Sequence, residues 1–133
     1  TDFSSRVNAA VSVIKVNSEY LMLRKKLLWP GMWCCPGGKI EAGETALDAA
    51  HRECFEETSV SLKNLKYKVG KTLFIRNPSW GDYIIHIYLF ILQVKPIIDL
   101  NSEHDSYMWA NLEDLGSLNL LPGQLETLKI LEK

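Results

Sequence analysis

The chain has 133 residues, 47% of them hydrophobic and 23% charged, and a net charge of −1. That composition folds around one core, so a single domain over residues 1–133 is expected and an intrinsically disordered chain is excluded. The balanced charge offers no field to attract nucleic acid, and no apolar run approaches the roughly 18 residues of a membrane span.

In chain order, the opening TDFSSRVN carries no basic-then-apolar leader pattern. Residues 7–16, VNAAVSVIKV, predict a strand, and residues 19–26, EYLMLRKK, a second one joined to it by a hairpin turn at Asn17 and Ser18. LLWPGM reads as a loop, and WCC as a short extended piece ended by Pro36, Gly37 and Gly38. A helix is expected from Thr45, which can cap it with Asp48 completing the capping box, to about Thr58 and Ser59. Its packing positions are Ala46, Leu47, Ala49, Ala50, Cys54 and Phe55.

LKYKVGKTLFI predicts a strand bent at Gly70, and RNPSWGD a turn. YIIHIYLFILQV is too apolar to face water on either side and predicts a central strand. SYMWANL is a short strand ending in a turn at Asn111. LPGQLETLKILEK is an amphipathic helix with Leu125, Leu128, Ile130 and Leu131 on its inner face. The order implies an α/β (α+β) fold, a mixed sheet between helices. Cys34, Cys35 and Cys54 lack CxxC spacing. They read as small buried hydrophobes in a reducing, cytoplasmic setting.

One stretch departs from this ordinary pattern. Residues 36–60, PGGKIEAGETALDAAHRECFEETSV, gather Glu41, Glu44, Glu53, Glu56 and Glu57 beside a double glycine. On a helix, Glu53 shares a face with Glu56 and Glu57, and like charges so placed repel by a few tenths of a kcal/mol. Three hard oxygen ligands on one stripe suit Mg²⁺ or Mn²⁺, which would offset the repulsion, and Mg²⁺ bound by few carboxylates favours a phosphorylated substrate. Arg52 can orient these carboxylates by pairing with Glu44 or Glu56. Glycines let backbone approach a metal or phosphate closely. A solvated acidic helix face is the plainer alternative.

The stretch resembles the signature of the Nudix hydrolase family, G-x5-E-x7-R-E-U-x-E-E-x-G-U, with U a bulky apolar residue. Gly38, Glu44, Arg52, Glu53, Glu56, Glu57 and Val60 stand in register. Cys54 replaces a larger apolar residue, and Ser59 replaces the second glycine, at a position whose left-handed backbone costs a serine about 1 kcal/mol. WCCPGGKIEAGE and EHDSYMW are similar to flanking family segments, and Arg24 to a frequent phosphate-binding arginine.

The resemblance implies an α/β/α sandwich and a divalent-metal-dependent hydrolase of nucleoside diphosphates linked to a further group. It makes Glu56 and Glu57 the main metal ligands, with the Gly38 carbonyl. Glu53 is then a base or a further ligand, and Glu103 the alternative base or a ligand of a second metal. Glu44 holds Arg52. Arg24, Gly37 and Lys39 lie toward phosphate. From the residues alone, the segment Trp80, Asp82 and Tyr83 can stack on a base, as loop aromatics readily do, with turn and core packing the plainer alternative. LLPGQLETL resembles a helix start that presents an amide to a purine, here Gln124 where asparagine is usual.

These features point to a nucleoside triphosphate pyrophosphohydrolase. ADP-ribose and dinucleoside polyphosphates are the alternative substrates; Pro78 lies near, but not at, a proline position common in the ADP-ribose branch. A non-catalytic nucleotide-binding module of the same fold would be expected to lack the glutamates that this chain keeps. The expected partner is a small nucleotide, without nucleic acid or membrane, acting on a monomer or homodimer. His104 is expected to be structural, and Trp33 to pack over the glycine loop.

Overall fold

The computed structural model describes residues 5–76 and 81–132; the side chains considered below begin at Val7. Pro78 and Trp80 lie outside the described residues. The elements are β1 (Ser5–Val16), β2 (Glu19–Lys25), β3 (Trp33–Cys34), β4 (Gly37–Lys39), α1 (Ala46–Thr58), β5 (Val69–Ile75), β6 (Asp82–Leu92), β7 (His104–Asn111), α2 (Leu112–Leu115) and α3 (Gln124–Leu131). The strands form one mixed sheet. β6 pairs parallel with β1 and antiparallel with β5, and β7 closes the far side along β2. Flanked by β1 and β5, the very apolar β6 is the central strand its sequence predicts.

β1 and β2 pair only at their hairpin end, Lys15 with Tyr20 and Val16 with Glu19. Asn17 makes that turn with φ of 56°, a conformation asparagine tolerates better than most residues. Beyond it the two strands diverge, and the backbone groups of each need new partners. β4 supplies them to β1, Ala9 to Val11 facing Lys39 to Gly37, and β3 supplies them to β2. Gly37–Lys39 is therefore a strand and not the end of an extended piece: glycine is needed because a Cβ on Gly37 would lie 2.6 Å from the Ala10 carbonyl oxygen. The sheet splits at this point, and the split opens the cleft described below.

Alternation along the strands sends side chains to two cores. Val11, Val13, Tyr20, Met22, Ile85 and Ile87 meet Leu115, Leu128 and Leu131 on one side. Ile14, Leu21, Leu23 and Phe90 meet Cys54, Val60 and Leu62 on the other. Helices thus cover both faces, as expected. All three cysteines are buried and free. Among the described residues no helix is long and apolar enough to cross a membrane.

Several boundaries differ from the sequence reading. Residues 65–68 stay outside β5, where the strand begins at Val69. Asn111 caps the one-turn helix α2 and does not simply turn the chain. Phe55 is 56% exposed, on the outer side of α1 and not packed. In α3, Leu125 is only half-buried while Gln124 and Thr127 are buried.

Helix α1 is set by its ends. Thr45 and Asp48 form the reciprocal capping box, and Ser59 ends the helix in the left-handed region at φ of 65°. The Ser59 hydroxyl returns little, donating to the Asp99 carbonyl at 3.2 Å on an exposed surface. Relief of about 1 kcal/mol of backbone strain less about 0.5 kcal/mol for that bond predicts that Ser59→Gly stabilises the fold by roughly 0.5 kcal/mol. Urea unfolding should show a higher midpoint with an unchanged slope; a lower midpoint would show that the hydroxyl bond outweighs the strain.

Candidate active site

Small residues bring α1 close to the sheet. Ala49 and Ala50 pack on Ala10 with no exposed surface, and the Ser12 hydroxyl donates to the Ala50 carbonyl at 3.0 Å. One turn further along, this approach presses Glu53 and Glu57 against β4. A Cβ on Gly38 would lie 2.5 to 2.8 Å from the Glu53 carboxylate, and the Gly37 N–H donates to Glu57 Oε1 at 3.1 Å. Gly38 is there because the Glu53 carboxylate occupies the space of a side chain, and Gly37 because the neighbouring β1 backbone does.

Glu57 is 3% exposed. Its pKa is raised, first by burial, then by its contact with Glu53 and by that carboxylate's charge, with a smaller push from Glu103; the Gly37 N–H opposes these. Glu56 points outward, with a side chain 47% exposed. So the i, i+3, i+4 stripe is divided: Glu53 and Glu57 face β4, and Glu56 sits on the rim.

Arg52 ties the rim together. Its Nε and Nη2 bind the two oxygens of Glu44 at 2.7 and 3.0 Å. Nη1 reaches Glu53 at 2.9 Å and Glu56 at 3.0 Å, and Nη2 also donates to the Lys39 carbonyl at 3.2 Å. Hydrogen bonding to Arg52 lowers the Glu44 pKa from its ordinary 4.5 to about 2. The expected Glu44–Arg52 pair is formed, and it leaves Arg52 locked by carboxylates on three sides.

Glu103 stands on the loop before β7. It is exposed, its backbone N–H bonds Asn101 Oδ1 at 3.1 Å, and its Oε2 accepts from Asn101 Nδ2 at 3.0 Å. Its backbone carbonyl takes the Lys26 N–H at 2.9 Å, which anchors the loop to the end of β2.

Where the sheet splits, a cleft of about 310 Å³ runs from Gly37, Gly38 and Lys39 toward Tyr83, Pro122 and Gln124. A larger depression of about 940 Å³ lies over the outer side of α1 and is lined by Leu47, Arg52, Phe55, Glu56 and Lys63. Glu53 and Glu57 line neither; they adjoin the cleft through Gly37 and Gly38. Of the residues expected near phosphate, Gly37 and Lys39 line the cleft; Arg24 does not, and is instead paired with Asp105 at 2.7 Å. The next residue, Lys25, lines it in its place. Asp82 starts β6 but does not line the cleft, whereas Tyr83 does. Leu28, Trp29, Cys34 and His104 are lining residues that sequence reasoning did not assign. The register that places them depends on the divergence of β1 from β2, which no local pattern shows. His104 is buried, with its pKa lowered to about 4 chiefly by burial, and Cys34 Sγ lies 3.8 Å from its Nε2.

Among the described residues no three His, Cys, Asp or Glu side chains converge as a ready metal cage, because Arg52 holds Glu56 aside. The ligands that do converge are the two carboxylates of Glu53 and Glu57, packed against Gly37 and Gly38. They suit a cation that keeps part of its shell for water and phosphate oxygens, as Mg²⁺ does. A buried acid pressed on a second carboxylate is likewise a site that a cation relieves.

The model of the NUDIX domain family matches residues 6–132. The chain is 29% identical over 125 residues to the Nudix hydrolase YvcI of Bacillus subtilis, covering 91% of this chain and 76% of that protein. It is 28% identical over 112 residues to the nucleoside triphosphatase NudI of Escherichia coli, covering 77% and 78%. Among solved structures it is similar to a bifunctional NMN adenylyltransferase/ADP ribose pyrophosphatase from Francisella tularensis, complexed with AMP and a Mn ion. That match has a TM-score of 0.80 and 25% identity and takes in 98% of this chain, which spans 42% of the bifunctional protein.

Two outcomes follow from the geometry. Gly38→Ala puts a methyl group into the Glu53 carboxylate and should lower kcat at least tenfold while circular dichroism keeps its native form. Glu44 stabilises the fold through Arg52 as a carboxylate with a lowered pKa, so its contribution is complete above about pH 4.5 and is lost as pH falls toward 2. The stability gap between wild type and Glu44→Gln in urea titrations should therefore be constant from pH 5 to 7 and close on acidification; a gap that widens would contradict the assignment.

Proposed function

The chain belongs to the Nudix family, hydrolases of phosphoric anhydride bonds in nucleotides, and on that premise we propose that it is a Mg²⁺- or Mn²⁺-dependent nucleoside triphosphate pyrophosphohydrolase. The products would be nucleoside monophosphate and pyrophosphate. The observation that carries this reading is the pair Glu53 and Glu57 pressed on Gly37 and Gly38 at one end of a cleft large enough for a nucleoside. The likeness to a nucleoside triphosphatase of similar length over 77% of the chain supports the triphosphate branch.

In this reading Glu57, Glu53 and the Gly38 carbonyl would hold the cation, with Glu56 as a further ligand on the rim. When bound, the cation would supply charge to screen the diphosphate oxygens and to lower the pKa of a water molecule. Arg52 fixes the carboxylates in place, and its own partner Glu44 keeps it from turning to the phosphates. Lys39 and Lys25 offer cationic groups to the phosphate chain. Glu103 takes the proton from the attacking water. What favours it over Glu53 is its partner: Glu53 is bound by the Arg52 cation at 2.9 Å, whereas among the described residues exposed Glu103 accepts only from the neutral Asn101 amide and precedes the cleft residue His104. ADP-ribose is the second reading, favoured by the likeness to the bifunctional pyrophosphatase domain.

Product analysis tests the proposal. The common dNTPs and NTPs, oxidised dGTP, ADP-ribose and diadenosine polyphosphates are each incubated with Mg²⁺ and with Mn²⁺. Monophosphate and pyrophosphate from a triphosphate, reduced more than a hundredfold in Glu57→Gln and abolished by chelator, is the expected result. AMP and ribose phosphate from ADP-ribose alone would move the protein to the second reading. Absence of turnover with nucleotide binding retained would sink the catalytic claim.

A further inference from the structure

The net charge of −1 conceals a segregation along the chain. Between Glu57 and Asp82 stand five basic residues, Lys63, Lys66, Lys68, Lys71 and Arg76, and no acidic one, which leaves −6 for the rest of the sequence once +5 is taken from −1. The basic residues lie away from the glutamates. Lys63 falls in the depression over α1, beside Asp48 and Glu56. The others follow β5, which among the described residues pairs only with β6 and so forms an edge of the sheet. Lys66, Lys68 and Lys71 are exposed, and among the described residues no ion pair engages them. The neighbouring strand brings one carboxylate, Asp82, at the Ile75 end.

Two exposed rings accompany these lysines. Tyr67, 44% exposed, meets Tyr88 edge-on with ring centroids 5.0 Å apart. It rests on the strand at Gly70, where a Cβ would lie 3.1 Å from Tyr67 Cε2. Alternation puts Gly70, Thr72 and Phe74 on one face, and Phe74 is 62% exposed. Four residues separate Gly70 from Phe74, roughly 13 Å of strand. Midway between the rings, the Thr72 hydroxyl contacts His86 Nδ1 at 3.3 Å and keeps a further hydrogen-bonding site.

Lysine on an edge strand discourages pairing with other sheets. That role accounts for Lys71, but not for Lys66, Lys68 and two exposed rings. A second copy of the chain would set one +5 segment against another, which the charge opposes. A membrane surface would call for apolar groups that project, whereas Tyr67 lies back on its strand. A linear polyanion that carries flat groups matches all three features. We propose that β5, with residues 66–68 before it, is a docking track for single-stranded RNA. The lysines take phosphates, Tyr67 and Phe74 take bases by stacking, and Thr72 meets a ribose 2′-hydroxyl. None of these residues lines the cleft. The near-neutral charge of the whole chain does not bear on so local a field, because salt screens charges more than about 10 Å away.

Fluorescence anisotropy with a labelled oligouridylate ending in a 5′-hydroxyl tests the track. Such a strand has no anhydride bond, so the result is independent of the proposed hydrolysis. The expected Kd is about 1–100 μM, with log K falling against log salt at a slope of about −2 for three phosphates. Changing Lys66, Lys68 and Lys71 together to Gln should weaken binding at least about tenfold and flatten that slope, with nucleotide turnover unchanged. Tyr67→Ala should weaken binding at least about fivefold and keep the slope. Phe74→Ala reads the same loss should the Tyr67 variant lose its native circular dichroism. Absence of binding at low salt overturns the inference. So does binding that the lysine changes leave intact, or equal binding of heparin with no dependence on either ring. Phosphatidylserine vesicles bound in place of the strand would make the face a membrane contact, and oligodeoxyuridylate bound as tightly as the RNA would overturn the assignment to RNA.

Discussion

Everything at the active end of this protein follows from the burial of Glu57 beside Glu53. Two carboxylates in contact, one of them withdrawn from water, are unstable as a charged pair. The surroundings are arranged to hold them there nonetheless. Alanines at 49 and 50 bring the helix down on Ala10. Gly38 leaves the space that the Glu53 carboxylate fills, and Gly37 lets β4 lie close against β1. Among the described residues, the Gly37 N–H donates to Glu57 and Arg52 to Glu53, the positive partners of the pair. Such a site disfavours its own ionised form, so under the proposed reading metal binding and the fully charged state of the glutamates would be coupled.

The split between β1 and β2 converts this local arrangement into a site for an extended molecule. A continuous hairpin would have filled the sheet and left no opening. Because the strands separate after Lys15 and Tyr20, β4 carries the glycines to the β1 edge and β3 carries Cys34 toward β2. The candidate site residues are consequently built on different elements. The carboxylates belong to α1 on one face of the sheet, and Gln124 belongs to α3 on the other. Gln124 lines the cleft, and Glu53 and Glu57 adjoin it through Gly37 and Gly38.

The parts legible in the sequence were those set by local rules. The capping box at Thr45 and Asp48, the left-handed end at Ser59, the buried central strand and the Glu44–Arg52 pair each depend on spacing within a few residues or on the resemblance to one signature. What stayed hidden depended on non-local register. Nothing in PGGK announces a strand, because its partner, residues 9–11, lies almost thirty positions away. Arg24 looked free for phosphate, and only the pairing of β2 with β7 sets Asp105 beside it. Glu56 looked equal to Glu57 on the helix stripe, but the sheet approaches one side of that stripe and Arg52 holds the other.

Gln124 shows how such hidden register can orient a side chain. Read along the chain, it is an amide at the start of a helix, able to donate and accept. Its polarity is set by an N–H eighty-nine positions away, which lacks a partner because residues 119–121 stop pairing with β3 one residue too soon. A backbone donor stranded at the end of a short strand must be satisfied in a buried place. Here the group that satisfies it also lines the cleft. The requirement of the fold thus commits the amide oxygen to the Cys35 N–H, and a change in where β3 ends would alter the orientation of Gln124 without touching the glutamates.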